Sequence, residues 1–178
     1  NGNFDNAAVF LNSSGQTVSW TVKNNIINYS GTGISFKADA GTVIVKRNLI
    51  VASKYIGILD NLLGGEATIE NNTIAKGDVA YHLASASAKR TLRNNIFAEF
   101  EKTGVEVSSL SSDQESGILF ISYNDVWSVR SGSRGYFSNR KNSAFTPSGV
   151  GNLATDPYFV SGEDRHLRAG SLAINSGD

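Results

Sequence analysis

The chain has no cysteine and no methionine, and only 2 prolines among its 178 residues. Without cysteine there is neither a disulfide scaffold nor a thiolate-bound metal, so stability must come from a packed, hydrogen-bonded interior. No apolar run reaches the roughly 20 residues that a membrane-spanning helix needs. An excess of charge of one sign is missing too. The 16 basic and 16 acidic residues balance, which removes any general signal for polyanion binding. The phosphate-cradling G-x-x-x-x-G-K-[ST], the zinc-binding H-E-x-x-H, the nucleophile elbow G-x-S-x-G and the EF-hand loop are all absent. Carboxylates are too scattered to form a glycosidase pair or a calcium cage. Backbone carbonyls at turns remain the one route to calcium, and no metal ligand is assigned.

What the chain does have is rhythm. Asn25, Asn48, Asn72, Asn95 and Asn124 recur at intervals of 23, 24, 23 and 29 residues, in VKNNII, VKRNLI, IENNTI, LRNNIF and ISYNDV. A fixed period of this length indicates a stacked-repeat architecture. Three residues before each Asn stand Val22, Val45, Ile69, Leu92 and Ile121, and two after it stand Ile27, Ile50, Ile74, Phe97 and Val126. Both columns are apolar. The intervening column, Lys23, Lys46, Glu70, Arg93 and Ser122, is polar. Period-two alternation with β-branched residues inward is strand behaviour, and nothing repeats at 3.6.

A second strand follows each Asn at GISFK (33–37), YIGIL (55–59), VAYHL (79–83) and GVEVS (104–108), with AAVFL (7–11) before the first. Glycines 31, 33, 41, 64, 65 and 77 punctuate the strands. The Asn column itself suits a tight corner, since asparagine tolerates the left-handed conformation. Stacked about 4.8 Å apart, its amides could also bond each other along the axis.

The NN-x-I corner followed by a G-I-x-apolar strand resembles the right-handed parallel β-helix of pectate-lyase-like proteins. Residues 155–178 resemble the closing segment of large secreted β-helix proteins through Asp156-Pro157, Phe159, Leu167, Gly170-Ser171, Ala173-Ile174 and Gly177. Asn175 and Leu172 depart from that segment, which often has Asp and Pro there. The expected fold is therefore all-β, a right-handed parallel β-helix of five to six coils. Residues 1–154 form the coils, with an insertion loop at 128–148, and 155–178 close the same domain. The start reads as a corner in mid-repeat, without a polar cap. It is expected to be the C-terminal part of a longer protein or to dock its open end on upstream coils or another chain. A compact cap formed by residues 1–12 is the alternative.

This fold carries lyases, hydrolases, epimerases, adhesins and purely structural proteins, so function has to be read from sites. The resemblance implies an extracellular or cell-surface module of a polysaccharide-processing protein of the lyase or epimerase type. A non-catalytic adhesion or scaffold segment is the alternative, and whether this chain is itself an enzyme is left open. Strand parity gives an outward row of Lys37, Tyr55, His82 and Glu106, with Asp60 and Asp78 at its margins. These types fit uronate chemistry, in which a cation stabilises the enolate-like intermediate while a base and an acid move protons. The same residues equally suit a solvated face. The loop 128–148 carries Arg130, Arg134, Arg140 and Lys141 without an acidic residue, beside Tyr136 and Phe137. It would grip an anionic polymer and stack an aromatic on a sugar ring, or else fold its aromatics over the coil and leave its cations in water. A polysaccharide is the expected partner, with no nucleic acid and no membrane span.

Overall fold

A computed structural model describes residues 6–85, 87–108, 117–147 and 149–174. The strands, in chain order, are β1 (Ala7–Asn12), β2 (Thr17–Lys23), β3 (Ile26–Asn28), β4 (Thr32–Ala38), β5 (Ala40–Lys46), β6 (Leu49–Leu62) and β7 (Glu66–Glu70). They continue as β8 (Thr73–Leu83), β9 (Arg90–Arg93), β10 (Ile96–Val107), β11 (Leu119–Ser122), β12 (Asp125–Trp127), β13 (Arg134–Ser138) and β14 (Ser143–Ala144). Every pairing between successive turns is parallel. The chain winds as a right-handed β-helix of about four turns. The five to six coils expected from sequence include a partial one at 1–19 and a coil with a long insertion at 117–154.

Each turn has three faces. The first is the five-stranded stack of β2, β5, β7, β9 and β11. The second and third belong to one larger sheet, because β6, β8 and β10 each run through a register shift that bends them from one face to the next. Where sequence alone suggested two strands per turn on these faces, one continuous strand turns the corner in the three middle turns. The two apolar columns flanking the asparagines are buried throughout and form the core with Ile34, Phe36, Ile58, Leu62, Leu83, Val105 and Val107. Burying a side chain of this kind contributes roughly 1.5–3 kcal/mol. The inward columns therefore supply most of the stabilisation that the missing disulfides do not.

The corners explain the N-N doublet. The left-handed residue is the one before the repeating asparagine: Asn24, Arg47, Asn71, Asn94 and Tyr123 have φ of 58, 54, 55, 55 and 54°. The expectation that the repeating Asn itself adopts this conformation is therefore corrected by one position. Freed from that task, its carboxamide runs a ladder along the axis. Asn48 Oδ1 accepts from the Asn25 backbone N–H at 3.0 Å and from Asn25 Nδ2 at 2.9 Å. Asn72, Asn95 and Asn124 each receive the same pair of bonds from the rung before. Each of these amides also donates to a carbonyl of the preceding turn, as Asn72 Nδ2 does to Val45 at 2.9 Å. The last rung among the described residues is Asn152, whose Oδ1 accepts from the Asn124 N–H at 3.1 Å.

A second left-handed column, Tyr29, Ala52, Lys76 and Glu99, forms the bend between faces two and three. At the third corner, a Cβ on Gly65 would lie 2.0 Å from the Gly41 carbonyl oxygen, so only glycine fits.

Residues 155–174 lie against the flank of the coils. Arg165 bonds Glu99 at 2.8 Å and Lys76 bonds the Gly162 carbonyl at 3.2 Å. Ser171 donates to the Pro157 carbonyl at 2.7 Å, and Phe159 bridges Leu167. Among the described residues, no helix is long and apolar enough to cross a membrane.

Candidate functional site

Register decides which outward residues meet. On face three, Ser35, Leu59, His82, Glu106 and Phe137 share one column, each paired with the next. Lys37 lies in a different column, between Asn12 and Asn61. Tyr55 sits in the bend of β6, outside the paired registers, with the Lys54 ammonium 4.9 Å from its ring centre. The four candidates thus separate: His82 and Glu106 are adjacent, while Lys37 and Tyr55 stand apart from them. Asp60, expected at the margin of the outward row, points inward and is fully buried. It shares the parity of Ile56 and Ile58. Asp78 pairs with Lys102 at 2.6 Å on the rim of the bend.

His82 and Glu106 do not act alone. His82 Nε2 is 3.7 Å from Glu106 Oε1 and 2.7 Å from Ser108 Oγ. Asn139 Nδ2 donates to Glu106 Oε1 at 2.7 Å and to Ser108 Oγ at 3.0 Å. Ser108 and Asn139 follow the last residues of β10 and β13 in successive turns, and their backbone N–H groups bond Leu83 and Val107 of the turn below. The backbone therefore fixes both side chains beside the His82 row. Burial holds the His82 pKa below its ordinary value, against the opposing pull of the Glu106 charge. The imidazole is therefore neutral near pH 7.

The basic segment 128–148 is largely structured. Residues 134–138 form β13, the next parallel strand on β10, and Ser143–Ala144 folds back on it as an antiparallel pair. The continuous insertion loop expected there is thus, in its middle, a regular part of the coil. RGYFS shares with GVEVS a glycine followed by an apolar residue, and Val105 pairs with Tyr136 in register. Tyr136 packs on Phe145 with ring centres 5.7 Å apart, and Phe137 lies under the Arg134 guanidinium at 3.6 Å. Neither ring is free to stack on a ligand. Burial raises the Tyr136 pKa. Arg130 is paired with Glu101 of the turn below at 2.7 Å. Arg140 and Lys141 are exposed in the turn between β13 and β14. The polar stretch SSLSSDQES (108–116), whose composition predicts a second loop, lies outside the described residues beyond Ser108.

A feature that motif reading missed is a groove running along the helix axis at the bend between faces two and three. One section, of about 680 Å³, is lined at equivalent positions of successive turns by Lys54 and Tyr55, Lys76 and Asp78, Glu101, and Arg130. A further section, of about 660 Å³, shares Ala52, Lys54 and Tyr55 and extends past Tyr29 and Ser30 toward β1. Tyr29 is 88% exposed and Tyr55 38%. The stacking of equal repeat positions, already legible in the sequence, is what makes such a groove; the left-handed bend that opens it has no fixed residue type. Asp78 and Glu101 are neutralised by Lys102 and Arg130, whereas Lys54 faces a ring and Lys76 a carbonyl.

On face one the outward columns are regular but occupied among themselves. Thr21, Ile44, Thr68, Thr91 and Phe120 are in register, and beside them Glu70 pairs with Arg93 at 2.8 Å and Lys46 at 3.9 Å. His166 is exposed and bonds Asp164 within the C-terminal segment. Among the described residues no group of three or more His, Asp or Glu gathers as a metal site would require.

Comparison with curated proteins gives no match, and comparison with solved structures gives none. A family model described as the right handed beta helix region matches residues 2–148. Sequence period, parallel stacking and this match agree, and the chain belongs to the right-handed β-helix family.

Proposed function

We propose that this β-helix is a carbohydrate-contacting module that holds an extended polysaccharide along its axial groove. The observation that carries the reading is the run of the groove across successive turns, past Tyr29 and Tyr55, with Lys54 and Lys76 not paired to carboxylates among the described residues. A polymer of similar units suits a surface whose equal positions repeat at the strand spacing of about 4.8 Å. Exposed tyrosines offer flat faces to sugar rings at low entropic cost, and two lysines favour acidic sugars.

Binding is preferred over lyase or epimerase chemistry within these coils. Such chemistry needs a cation, a base and an acid around one sugar carbon, and Lys37 and Tyr55 stand away from the His82–Glu106 pair. Placement outside the cell, as part of a larger polysaccharide-processing protein, belongs to the same proposal. The test is a binding panel of polyuronate and neutral β-glucan fragments against the intact chain. Tyr29→Ala with Tyr55→Ala should lower affinity at least tenfold, and Lys54→Ala should selectively weaken acidic fragments. Absence of binding to every glycan would leave the stiff scaffold as the better account.

A further inference from the structure

Outside the groove, one cluster has a hydrogen-bond pattern with a direction. Glu106 can only accept when ionised, so the Asn139 carboxamide must turn its nitrogen toward it, as the 2.7 Å contact requires. The second N–H of that nitrogen then points at Ser108 Oγ, 3.0 Å away. With its oxygen accepting from Asn139, the serine hydroxyl sends its own proton to His82 Nε2 at 2.7 Å, the other side-chain partner it has among the described residues. A neutral imidazole protonated on Nδ1 presents a lone pair at Nε2 to receive it. Thus a hydroxyl is aimed at a base, and the aim is set by an amide that a carboxylate orients. Neither His82 nor Glu106 is a freely solvated side chain, at 19% and 17% exposure.

We infer that Ser108 and His82 form a nucleophile–base pair that cleaves carboxylic esters. His82 Nε2 takes the Ser108 proton as Oγ bonds to the ester carbonyl carbon, and the electron pair moves onto the carbonyl oxygen. The ester C–O bond then breaks, and the alcohol leaves with the proton from His82. Water, deprotonated by the same imidazole, attacks the acyl-serine and releases the acid, which restores the hydroxyl. The Asn139 N–H that reaches Ser108 Oγ is released as that oxygen bonds to carbon, and it can then donate to the charge developing on the carbonyl oxygen. Glu106 is a positioning residue that acts through Asn139. The inference is independent of what fills the axial groove.

The intact chain is incubated with a fluorophosphonate probe and the modified residue is mapped by mass spectrometry, alongside hydrolysis of 4-nitrophenyl acetate. One label on Ser108 is expected, abolished in Ser108→Ala and slowed at least tenfold in His82→Gln. Circular dichroism of each variant separates lost chemistry from lost fold. Glu106→Gln should move the acidic limb of the rate profile to lower pH, because a nearby anion that favours imidazolium is gone, a change that loosened packing would not produce. Labelling at other sites, or labelling no faster in the native chain than in urea, overturns the inference.

Discussion

Arg90 Nε lies 2.7 Å from Asp60 Oδ2 inside the coil, and neither side chain has any solvent exposure. The pair is closed on all sides. Tyr81 donates to the same Asp60 oxygen at 2.8 Å, the Leu62 N–H donates to the other, and the guanidinium reaches the carbonyls of Leu62, Gly65, Ala88 and Lys89. Charges that far from water persist only when paired and fully hydrogen-bonded.

Breaking this pair from one side should be severe. Arg90→Met strands a buried carboxylate and should cost about 3–5 kcal/mol. Adding Asp60→Asn removes the stranded charge while keeping an acceptor for Tyr81, so the double variant should recover part of the loss. Urea denaturation of both proteins gives the two values; equal stability would mean that the pair carries no such coupling.

The asparagine ladder makes a different prediction. Asn72→Ala removes bonds to Asn48, Asn95 and the carbonyls of Val45 and Glu70, all in the buried middle of the stack. Each buried polar group left unmade costs about 1–3 kcal/mol. A loss of roughly 3 kcal/mol is expected, within that range for one or two unmade groups. Asn25→Ala, at the first described rung and half-buried, should cost clearly less. Thermal melts of the two variants rank them.

At the left-handed corner positions the chain uses Asn three times but Arg once, at Arg47 with φ of 54°. Asparagine tolerates this region better than other side chains, and β-branched residues tolerate it worst. Arg47→Asn should be neutral or gain a few tenths of a kcal/mol, while Arg47→Val should lose about 1–2 kcal/mol. The Arg47 side chain is exposed, so the contrast isolates backbone strain. Indistinguishable melting points would discard the strain argument.

Acidity should act through His82. Its pKa in the fold is lowered by burial, so the unfolded chain binds the proton more readily. Stability is then complete above the ordinary histidine value of about 6.5 and falls as pH drops from there toward the lower folded value. Denaturation midpoints across that window should decline in the wild type. They should decline less in His82→Gln, which does not titrate.

The stacking and the apolar columns were legible in sequence because every turn repeats them, so chance cannot mimic them. Single events were harder. Asn152 continues the ladder, yet Gly149 and Ala154 stand where the bulky apolar residues usually do, so the pattern that marks the other corners is broken there. Gly149 is demanded by contact, since a Cβ there would meet the Ile121 carbonyl oxygen at 1.9 Å. Asp60 has inward parity with Ile58, but its charge set it at the margin of the outward row, and Arg90, inward with Leu92, carries no signal of its own beside it. The outward row was read by parity within each turn. Parity fixes a face but not a register, which is why Lys37 and Tyr55 fell in other columns than His82. Ser108 and Asn139 carry no motif, and only the stacking of strand ends brings them to the imidazole.

Arg165 and Gly162 fasten the C-terminal segment to Glu99 and Lys76, residues 66 and 86 positions earlier in the chain. A solenoid normally lets go one winding at a time from its ends, since each layer touches only its neighbours. Here tension on the last residues would be shared with interior windings before the outermost one could peel. Fraying from that side becomes a collective event, and the rod behaves there less like a zip and more like a strapped bundle.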